Sequence, residues 1–227
     1  MQGPIRKLCL QAIAVTLVLL ALPGCFDMGR RPPNARGQCK NQLRGIGLAL
    51  HAYHDRHGSL PPATVTDAAT GHEHSWRVLL LPYLEKRDVY KKYRFNEPWD
   101  SPHNRKLADD VSILFRCPAR TPPQPGMTNY LAVVGPGSVW DTGAPNAEFG
   151  SAKDARVVLV ETSSDEVGCF EPRDFDLSAV DTRSGTMGDT LISSEHVAPQ
   201  VGLLNGEVRM IPPEVRMIDF MKLVTGP

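Results

Sequence analysis

The sequence predicts an α+β domain, with helices in its first half and an antiparallel sheet in its second. Apolar residues recur at helical spacing over residues 38–57, and a second helical segment covers residues 75–93. The second half of the chain consists of short runs rich in β-forming residues, separated by turn residues. Because the strands follow the helices instead of alternating with them, the order is that of an α+β fold with an antiparallel meander.

The first predicted helix covers residues 38–57. Its apolar positions follow one another at intervals of four, three, four and three, which places them on one helix face. These positions are Cys39, Leu43, Ile46, Leu50 and Tyr53. Gly58 is a typical helix stop, so we expect a helix that ends near His57 and packs its apolar face on the sheet.

The second helical segment, residues 75–93, contains Pro82 within its apolar run. Proline lacks a backbone N–H and clashes with the preceding turn, so we expect a kink there or a new helix start. After a loop, residues 105–109 are expected to form one helical turn. A short C-terminal helix is expected over residues 217–224.

Five short runs are predicted to be strands because they are rich in β-branched and aromatic residues. The runs are residues 112–116, 129–134, 156–161, 201–204 and 207–211. Asn205-Gly206, between the last two runs, favours a type I′ hairpin turn in which both residues have positive φ.

The charge balance bears on the kind of partner. In 227 residues, 25 Lys+Arg balance 25 Asp+Glu, so the formal net charge is zero at pH 7. A nucleic-acid-binding domain needs a basic surplus or stripe to neutralise phosphates, so we expect no nucleic-acid partner. The sequence also contains no dinucleotide-binding, P-loop, GxSxG, HExxH or EF-hand motif, and we expect no cofactor.

Residues 1–24 have the features of a bacterial lipoprotein signal peptide. Two cations precede an apolar run over residues 8–22, which is shorter than the roughly 20 residues of a membrane-spanning helix. The run ends in Leu22-Pro23-Gly24-Cys25, which resembles a lipobox, whose cysteine receives diacylglycerol and becomes the new N-terminus. An ordinary signal peptide or an uncleaved anchor is the alternative, and in each case the body is exported.

We therefore predict a lipid on Cys25, an anchor and polar tether over residues 25–37, and one domain over residues 38–227. Phe26 stands where inner-membrane lipoproteins most often carry Asp, which favours the outer membrane or another periplasm-facing location. The expected partners are a membrane, through the N-terminal lipid, and a protein of the cell envelope.

Export leaves three cysteines in an oxidising compartment, namely Cys39, Cys117 and Cys169. At most one disulfide can form among three cysteines, and one thiol is left over. Cys39 lies at the start of a helix and Cys117 follows a strand-like run, and we favour this pair. No CxxC or Cys/His finger spacing occurs, so structural zinc is not expected.

Six sequence blocks stand in order along the chain. They are residues 39–62, which open with CKNQLRGIGLALHAYH, then 75–85 (SWRVLLLPYLE), 96–100 (NEPWD), 115–118 (FRCP), 128–137 (TNYLAVVGPG) and 171–174 (EPRD). In these blocks the chain resembles a large planctomycete family of exported proteins, domain of unknown function 1559, which carries an older label of solute-binding protein.

The resemblance implies a fold similar to type II secretion pseudopilins, in which a sheet packs on the C-terminal half of a long helix. A lipobox-type segment stands where such proteins have a prepilin leader, so residues 38–57 correspond to the soluble half of that helix. The family's closing H…DG.VRF element appears in altered form, as His196 followed by Asn205-Gly206.

Histidines provide the first candidate site. His51 and His54 share a helix flank, and His72 and His74 lie on one side if residues 72–74 are extended. These four could bind a divalent metal ion together with a neighbouring carboxylate. The interpretation we favour is that they form hydrogen bonds around a helix C-terminus, where a cationic imidazole is favourable. Metal is therefore not expected.

A second candidate site groups aromatic and charged residues from three segments. Its members are Trp76, Trp99, Asp100, Arg173 and Asp174. They could line a ligand-binding cleft, but we favour a buried ion-pair network in which Arg173 or Arg77 holds loops around the two tryptophans. Residues 181–189 could bind calcium, although an ordinary solvent loop is the favoured interpretation.

The sequence thus predicts a non-enzymatic, lipid-anchored envelope protein with a structural or protein-interaction role. Its predicted domain, residues 38–227, is pseudopilin-like, and we call it the head. The alternative is a lipoprotein that binds a small solute in a cleft near Trp76, Trp99 and Arg173. A concave apolar pocket with convergent polar groups would favour this alternative.

Overall fold

A 23-residue helix begins the part of the chain that the computed structural model describes, namely residues 35–118, 124–141, 155–163, 167–180, 185–186 and 198–226. These residues belong to one compact unit, Ala35–Pro227. The predicted signal peptide, Cys25, His196 and most of residues 181–189 lie outside the described residues. No helix within the described ranges is long and apolar enough to cross a membrane.

Helices and strands both occur, which confirms the α+β class. The helices of the described residues are α1 (Ala35–His57), α2 (Trp76–Leu80), α3 (Arg87–Lys92), α4 (Pro102–Val111) and α5 (Met217–Thr225). The strands are β1 (Thr64–Thr66), β2 (Glu73–Ser75), β3 (Met127–Thr128), β4 (Tyr130–Val134), β5 (Val157–Glu161), β6 (Val167–Gly168), β7 (Phe175–Asp176), β8 (Gln200–Leu203) and β9 (Val208–Met210). Short 3-10 segments, Leu81–Tyr83, Ser112–Phe115 and Leu177–Ala179, follow α2, α4 and β7.

Helix α1 confirms the first predicted helix and begins slightly before the predicted start. Its predicted apolar face is buried, apart from Tyr53, which is half-buried. Gly58 has a φ of 74°, and its N–H donates to the His54 carbonyl at 2.7 Å. Gly58 therefore acts as the predicted C-terminal stop.

The main sheet has five strands in the order β7-β4-β5-β8-β9. Strands β4, β5, β8 and β9 are each antiparallel to the next in this order, with Leu131 opposite Val160 and Val160 opposite Val201. The two-residue β7 is parallel to β4, so the prediction of a purely antiparallel meander is wrong at this edge. The cause is a side-chain contact, because the Asp174 carboxylate accepts the Ala132 N–H at 2.8 Å and holds the start of β7 beside β4.

Alternate residues of β4 are buried on opposite faces of the sheet. Tyr130 and Ala132 join the core beneath α1 and α2, whereas Leu131 and Val133 join the core beneath α5. Helices therefore cover both faces, which explains why β5 is apolar in four successive positions instead of alternating with polar residues.

Residues 75–93 do not form one kinked helix, so the prediction of a kink at Pro82 is wrong. The alternative, a helix start at Pro82, is confirmed, because Pro82 lies in the first turn of the 3-10 helix Leu81–Tyr83. Helix α2 begins after Ser75, whose Oγ accepts the Arg77 N–H at 3.2 Å, and it ends at Leu80. Pro82 then lies in a 3-10 segment. The missing N–H of Pro82 thus marks the end of the α-helix instead of a bend within it.

Glu85 completes the break between α2 and α3. It is the one non-glycine residue with positive φ among the described residues, at 60°. The Lys86 N–H donates to the Leu81 carbonyl at 2.9 Å. A left-handed residue followed by this hydrogen bond is a Schellman-type helix end, a position that usually holds glycine.

The strand predicted over residues 112–116 is absent. Residues 112–116 are not a strand, because Ser112–Phe115 is a 3-10 segment, and residues 105–109 belong to the ten-residue α4. The Ser112 N–H donates to the Ala108 carbonyl, so helical bonding continues past the end of α4. This local bonding outweighs the β propensity of the side chains that follow.

The predicted hairpin between β8 and β9 is present, but its turn is not type I′. Of the two turn residues, Gly206 alone has positive φ, at 81°. The Gly206 N–H donates to the Leu203 carbonyl at 2.9 Å, and the Leu203 N–H donates to the Glu207 carbonyl at 2.8 Å. A turn that ends in a left-handed glycine is typical of a longer hairpin loop with a bulge.

A disulfide joins Cys39, near the start of α1, to Cys117, just after the second 3-10 segment. This is the pair that the sequence analysis favours. The two residues are 78 positions apart, and closing a loop of that length stabilises a fold by about 4 kcal/mol in the chain-entropy account. Cys169 is buried and forms no disulfide.

Candidate functional site

A buried ion pair, Arg77–Asp174, lies between α2 and the main sheet. Arg77 Nη2 and Asp174 Oδ1 are 2.8 Å apart, and the two side chains are 0% and 3% exposed. Arg77 Nη1 also donates to Ser75 Oγ at 2.7 Å, and Nη2 donates to the Tyr130 carbonyl at 2.8 Å. The guanidinium is thus paired with a carboxylate and hydrogen-bonded in the interior, as a buried charge requires.

The Asp174 carboxylate collects donors from separate parts of the chain. Besides Arg77, it accepts the Trp76 Nε1–H at 3.0 Å and the Ala132 N–H at 2.8 Å. Burial raises the pKa of the Asp174 carboxyl above its usual value, while the Arg77 cation and these hydrogen bonds act in the opposite direction. The guanidinium carbon of Arg77 also lies 4.7 Å from the Trp76 ring centre, a cation–π contact.

This network uses two of the five predicted ligand-binding residues as structural groups. Trp76 and Asp174 contact each other in the interior, and their cation is Arg77. Arg173 takes no part in the pair: its side chain is 50% exposed, and its Nε lies 2.7 Å from Glu171 Oε1. The cation of the network therefore comes from the block at residues 75–85.

The other two predicted residues, Trp99 and Asp100, lie at a surface cleft of about 230 Å³. The charged residues that line this cleft are Asp100, Arg105, Asp109 and Glu171. Gly168 packs so closely on the Trp99 ring that a Cβ there would lie 2.6 Å from a ring carbon. The cleft, which we call the Trp99 cleft, thus has an aromatic wall held against backbone and more acidic groups than basic ones.

Sequence reasoning missed Arg105 and Asp109 as lining residues. Both come from α4, and a separation of four residues places them on one helix face. That spacing was the available signal, but it indicates a shared face only if residues 105–109 belong to a full helix. Trp76, Arg173 and Asp174 do not line the Trp99 cleft, so the five predicted residues do not form one site.

The four candidate metal ligands are not brought together either. His51 Nε2 is hydrogen-bonded to the Leu204 carbonyl at 2.9 Å, and His74 is buried, whereas His54 and His72 are half-buried. Among the described residues, the one set of three potential ligand side chains within 4.8 Å of one another is Cys39, Cys117 and Glu161, and its two sulfurs form the disulfide.

His74 has a structural role in the core. Its Nε2 is 2.9 Å from the Phe95 carbonyl, which can only accept, so we assign the proton to Nε2. Its Nδ1 then accepts the Tyr93 hydroxyl at 2.7 Å. Burial lowers the pKa of His74, and both bonds are satisfied by the neutral ring.

Cys169 is the third cysteine and lies in the same core. It is fully buried, and burial raises the pKa of its thiol to about 12. The thiolate is the reactive form of cysteine, so this thiol is protonated and unreactive at neutral pH.

Comparison with known proteins identifies a family for most of the chain. A family model described as a protein of unknown function (DUF1559) matches residues 34–213. The match contains every described element from α1 to β9 and ends before α5. No curated protein and no solved structure matches the chain.

The Arg77–Asp174 pair yields a first prediction. We expect Asp174→Ala to lower the free energy of unfolding by about 3–5 kcal/mol, because it leaves the Arg77 charge buried without its partner. Replacing both residues, Arg77→Met with Asp174→Leu, should recover part of that loss because no unpaired charge remains. Urea denaturation followed by tryptophan fluorescence measures each variant.

Glu207→Ala is the matched control for that experiment. It removes the partner of Arg209 from a surface pair whose side chains are 57% and 53% exposed. Such pairs contribute about 1 kcal/mol or less. An equal loss for Asp174→Ala and Glu207→Ala would contradict a structural role for the buried pair.

His74 yields a prediction about pH. Because its pKa is lower in the folded than in the unfolded chain, its contribution is complete above the unfolded value of about 6.5 and is lost as the pH falls below it. We expect wild-type protein to lose stability between pH 7.5 and 5.5, and His74→Gln to lose less. Urea denaturation at both pH values measures the difference.

His103→Gln is the control, because the His103 ring also contacts a backbone carbonyl, that of Lys92, at 2.8 Å, but is not buried. This variant should keep the wild-type dependence on pH. If His74→Gln and wild type lose equal stability on acidification, the assignment of His74 as a buried neutral ring is wrong.

Proposed function

Because the chain belongs to the DUF1559 family of proteins of unknown function, we propose a role for it that rests on its own residues. It is a non-catalytic, lipid-anchored protein of the cell envelope, and its folded head binds another protein. The proposal has three parts: export with a lipid anchor, a pseudopilin-like head, and no catalytic activity. Different residues support each part, so each can be tested separately.

The cysteines carry this proposal. Cys39 and Cys117 form a buried disulfide, and disulfides persist in oxidising compartments outside the cytoplasm. The lipobox-type motif ends at Cys25, ten residues before α1 begins. Together they support export and a lipid anchor on Cys25, with the head at the outer membrane or at another periplasm-facing location.

We propose that the head is pseudopilin-like. Helix α1 lies against β8 and β9, and β4, β5, β8 and β9 form an antiparallel series in chain order. A helix that precedes such a sheet and packs on one of its faces is the arrangement that the resemblance implies. We assign the head a structural or protein-interaction role and do not include filament assembly in the proposal.

The proposal assigns no reaction to the chain, and it is supported by three buried titratable groups of the described residues that are enclosed in the core. Asp174 is paired with Arg77, and His74 bonds Tyr93 and the backbone. Cys169 is held as a thiol by burial. A general acid or base must be able to reach a substrate proton, and these groups are enclosed.

A solute-binding role is the second candidate, and the Trp99 cleft favours it. An aromatic wall with convergent charged groups is typical of ligand sites. However, the cleft measures about 230 Å³, whereas sites for drug-sized ligands span about 300–1,000 Å³. The acidic excess of its lining limits this candidate to a small polar or cationic solute.

Lipidation is tested by Cys25→Ser. We expect the variant to lose globomycin-sensitive processing and to leave the membrane fraction, because the cysteine that receives diacylglycerol is gone. Metabolic labelling with an alkyne fatty acid, with membrane fractionation, measures both effects. Cys9→Ser is the matched control, since it changes a cysteine within the apolar run and should keep the label. Persistent lipidation of Cys25→Ser would contradict the proposal.

The solute-binding candidate is tested by thermal shift against a panel of amino acids, polyamines and small sugars. A bound compound raises the midpoint of unfolding because it binds only the folded state. If the Trp99 cleft is the site, Asp100→Asn removes that shift, whereas Asp55→Asn on the exposed side of α1 keeps it. If the main proposal is right, no compound raises the thermal midpoint of wild-type protein in a way that Asp100→Asn abolishes.

A further inference from the structure

A second concavity, distinct from the Trp99 cleft, lies beside the C-terminal end of α1 and measures about 650 Å³. We call it the tyrosine groove. Its aromatic residues are Tyr53, Tyr83 and Tyr90, and its charged residues are Arg56, Arg87 and Lys91. The tyrosines are half-buried and the three cations are exposed, so the rings form the floor and the cations the rim.

The floor of the groove is held by contacts among its own rings. Tyr53 stacks on His57 with ring centres 4.2 Å apart, and it meets Tyr83 edge to face at 5.7 Å. His57 Nε2 is hydrogen-bonded to the Tyr83 hydroxyl at 3.0 Å. Burial and the neighbouring tyrosines raise the pKa of Tyr53, so its hydroxyl is a neutral donor. The aromatic surface is therefore ordered before anything binds.

The rim carries positive charge that no described acidic side chain balances. Within the described part of the chain, Arg56, Arg87 and Lys91 form no salt bridge or side-chain hydrogen bond, and no acidic residue lines the groove. Exposed arginines elsewhere differ from one another, since Arg94 pairs with Glu97 at 2.7 Å and Arg209 with Glu207 at 2.9 Å, whereas Arg44 and Arg105 form no ion pair with a described residue. The distinguishing feature of the rim is that three cations share one concavity that no carboxylate lines.

The helix dipole accounts for the positions of two of the three rim cations. Arg56 lies in the last turn of α1 and Lys91 in the last turn of α3, where a cation is favourable. Arg87 is the first residue of α3, where a cation is unfavourable. Its position beside two other cations is therefore a cost within the head alone, and an anion in the groove would offset it.

We propose that the tyrosine groove binds an acidic peptide segment of a partner protein. Arginine and lysine pair with carboxylates, and the tyrosine faces accept an apolar or aromatic side chain of the same segment. Tyrosine and arginine are also the residues most enriched in the energetic centres of protein interfaces. The inference rests on the proposed protein-interaction role and names the surface and the chemistry of the partner.

The test is selection from a random peptide library displayed on phage, with the full-length protein, purified in detergent, as the target. The rim variant carries Arg56→Gln, Arg87→Gln and Lys91→Gln. The control variant carries Lys40→Gln, Arg44→Gln and Lys106→Gln, which remove the same charge from exposed positions outside the groove. All six positions are exposed, so both variants should fold, and circular dichroism with thermal midpoints checks this. Arg87→Gln alone is the second variant.

We expect the selected peptides to combine Asp or Glu with an aromatic or leucine residue. Affinity for the rim variant, measured by fluorescence anisotropy, should fall by about tenfold, the factor expected when three exposed ion pairs are removed together. The control variant should bind within about twofold of wild type, and salt should weaken binding. Arg87→Gln should show a smaller loss in the same direction.

Three results would overturn the inference: no enrichment of peptides, enriched peptides without acidic residues, or equal binding to the rim variant and wild type. Rim-dependent binding to phosphatidylglycerol vesicles without peptide binding would also overturn it in favour of a lipid surface. Failure here is distinct from failure of the proposed function. If cross-linking in native envelopes captures the same partner with the rim variant as with wild type, the groove is not the binding surface, but the protein-interaction role stands. If wild-type protein carries no lipid on Cys25, only the proposed lipid anchor is wrong.

Discussion

The Arg77–Asp174 ion pair is the interaction on which the arrangement of α2, β4 and β7 depends. A buried guanidinium and carboxylate are tolerable only if each is paired and hydrogen-bonded. Ser75 and the Tyr130 carbonyl accept from the two terminal nitrogens of Arg77, whose Nε has no described partner, and the Ala132 N–H donates to Asp174. The helix start and the strand must therefore lie where these groups can reach the pair. The parallel edge strand β7 is a direct consequence, because it follows Asp174.

Helix α1 is fixed to the rest of the fold at two points. Near its start, the Cys39–Cys117 disulfide links it covalently to the chain after α4. Two turns before its end, His51 Nε2 bonds the Leu204 carbonyl at the β8–β9 turn. Tyr53, which α1 contributes to the tyrosine groove, follows the second of these points by two residues, and His57 in the last turn is hydrogen-bonded to the Tyr83 hydroxyl at 3.0 Å. A pre-formed surface loses less conformational entropy on binding.

The limits of prediction from sequence follow from the range of the interactions involved. The periodic stripe of α1 and the continuous apolar run of β5 are each patterns within one segment, and both elements were predicted. Strand β7 has two residues and no period, and its position depends on Asp174 contacting Ala132, 42 residues away in sequence. The break at Glu85 places a glutamate where glycine is usual, so its residue type gave no warning. The five candidate binding residues do not form one site, because their positions also depend on contacts between distant segments. Trp76 and Asp174 contact each other in the core, whereas Trp99 and Asp100 lie at a surface cleft.

The net charge of the chain does not show where its charged residues lie in the fold. Equal numbers of acidic and basic residues argue against a nucleic-acid partner, but a sum carries no information about position. In the described part of the chain, three of the four charged residues that line the Trp99 cleft are acidic, whereas the three that line the tyrosine groove are cationic. A neutral protein can therefore present two surfaces of opposite sign, each suited to a different partner. The concavity with the larger volume and the ordered aromatic floor is the cationic one, and this is why we propose an acidic segment, and not a cationic solute, as the partner.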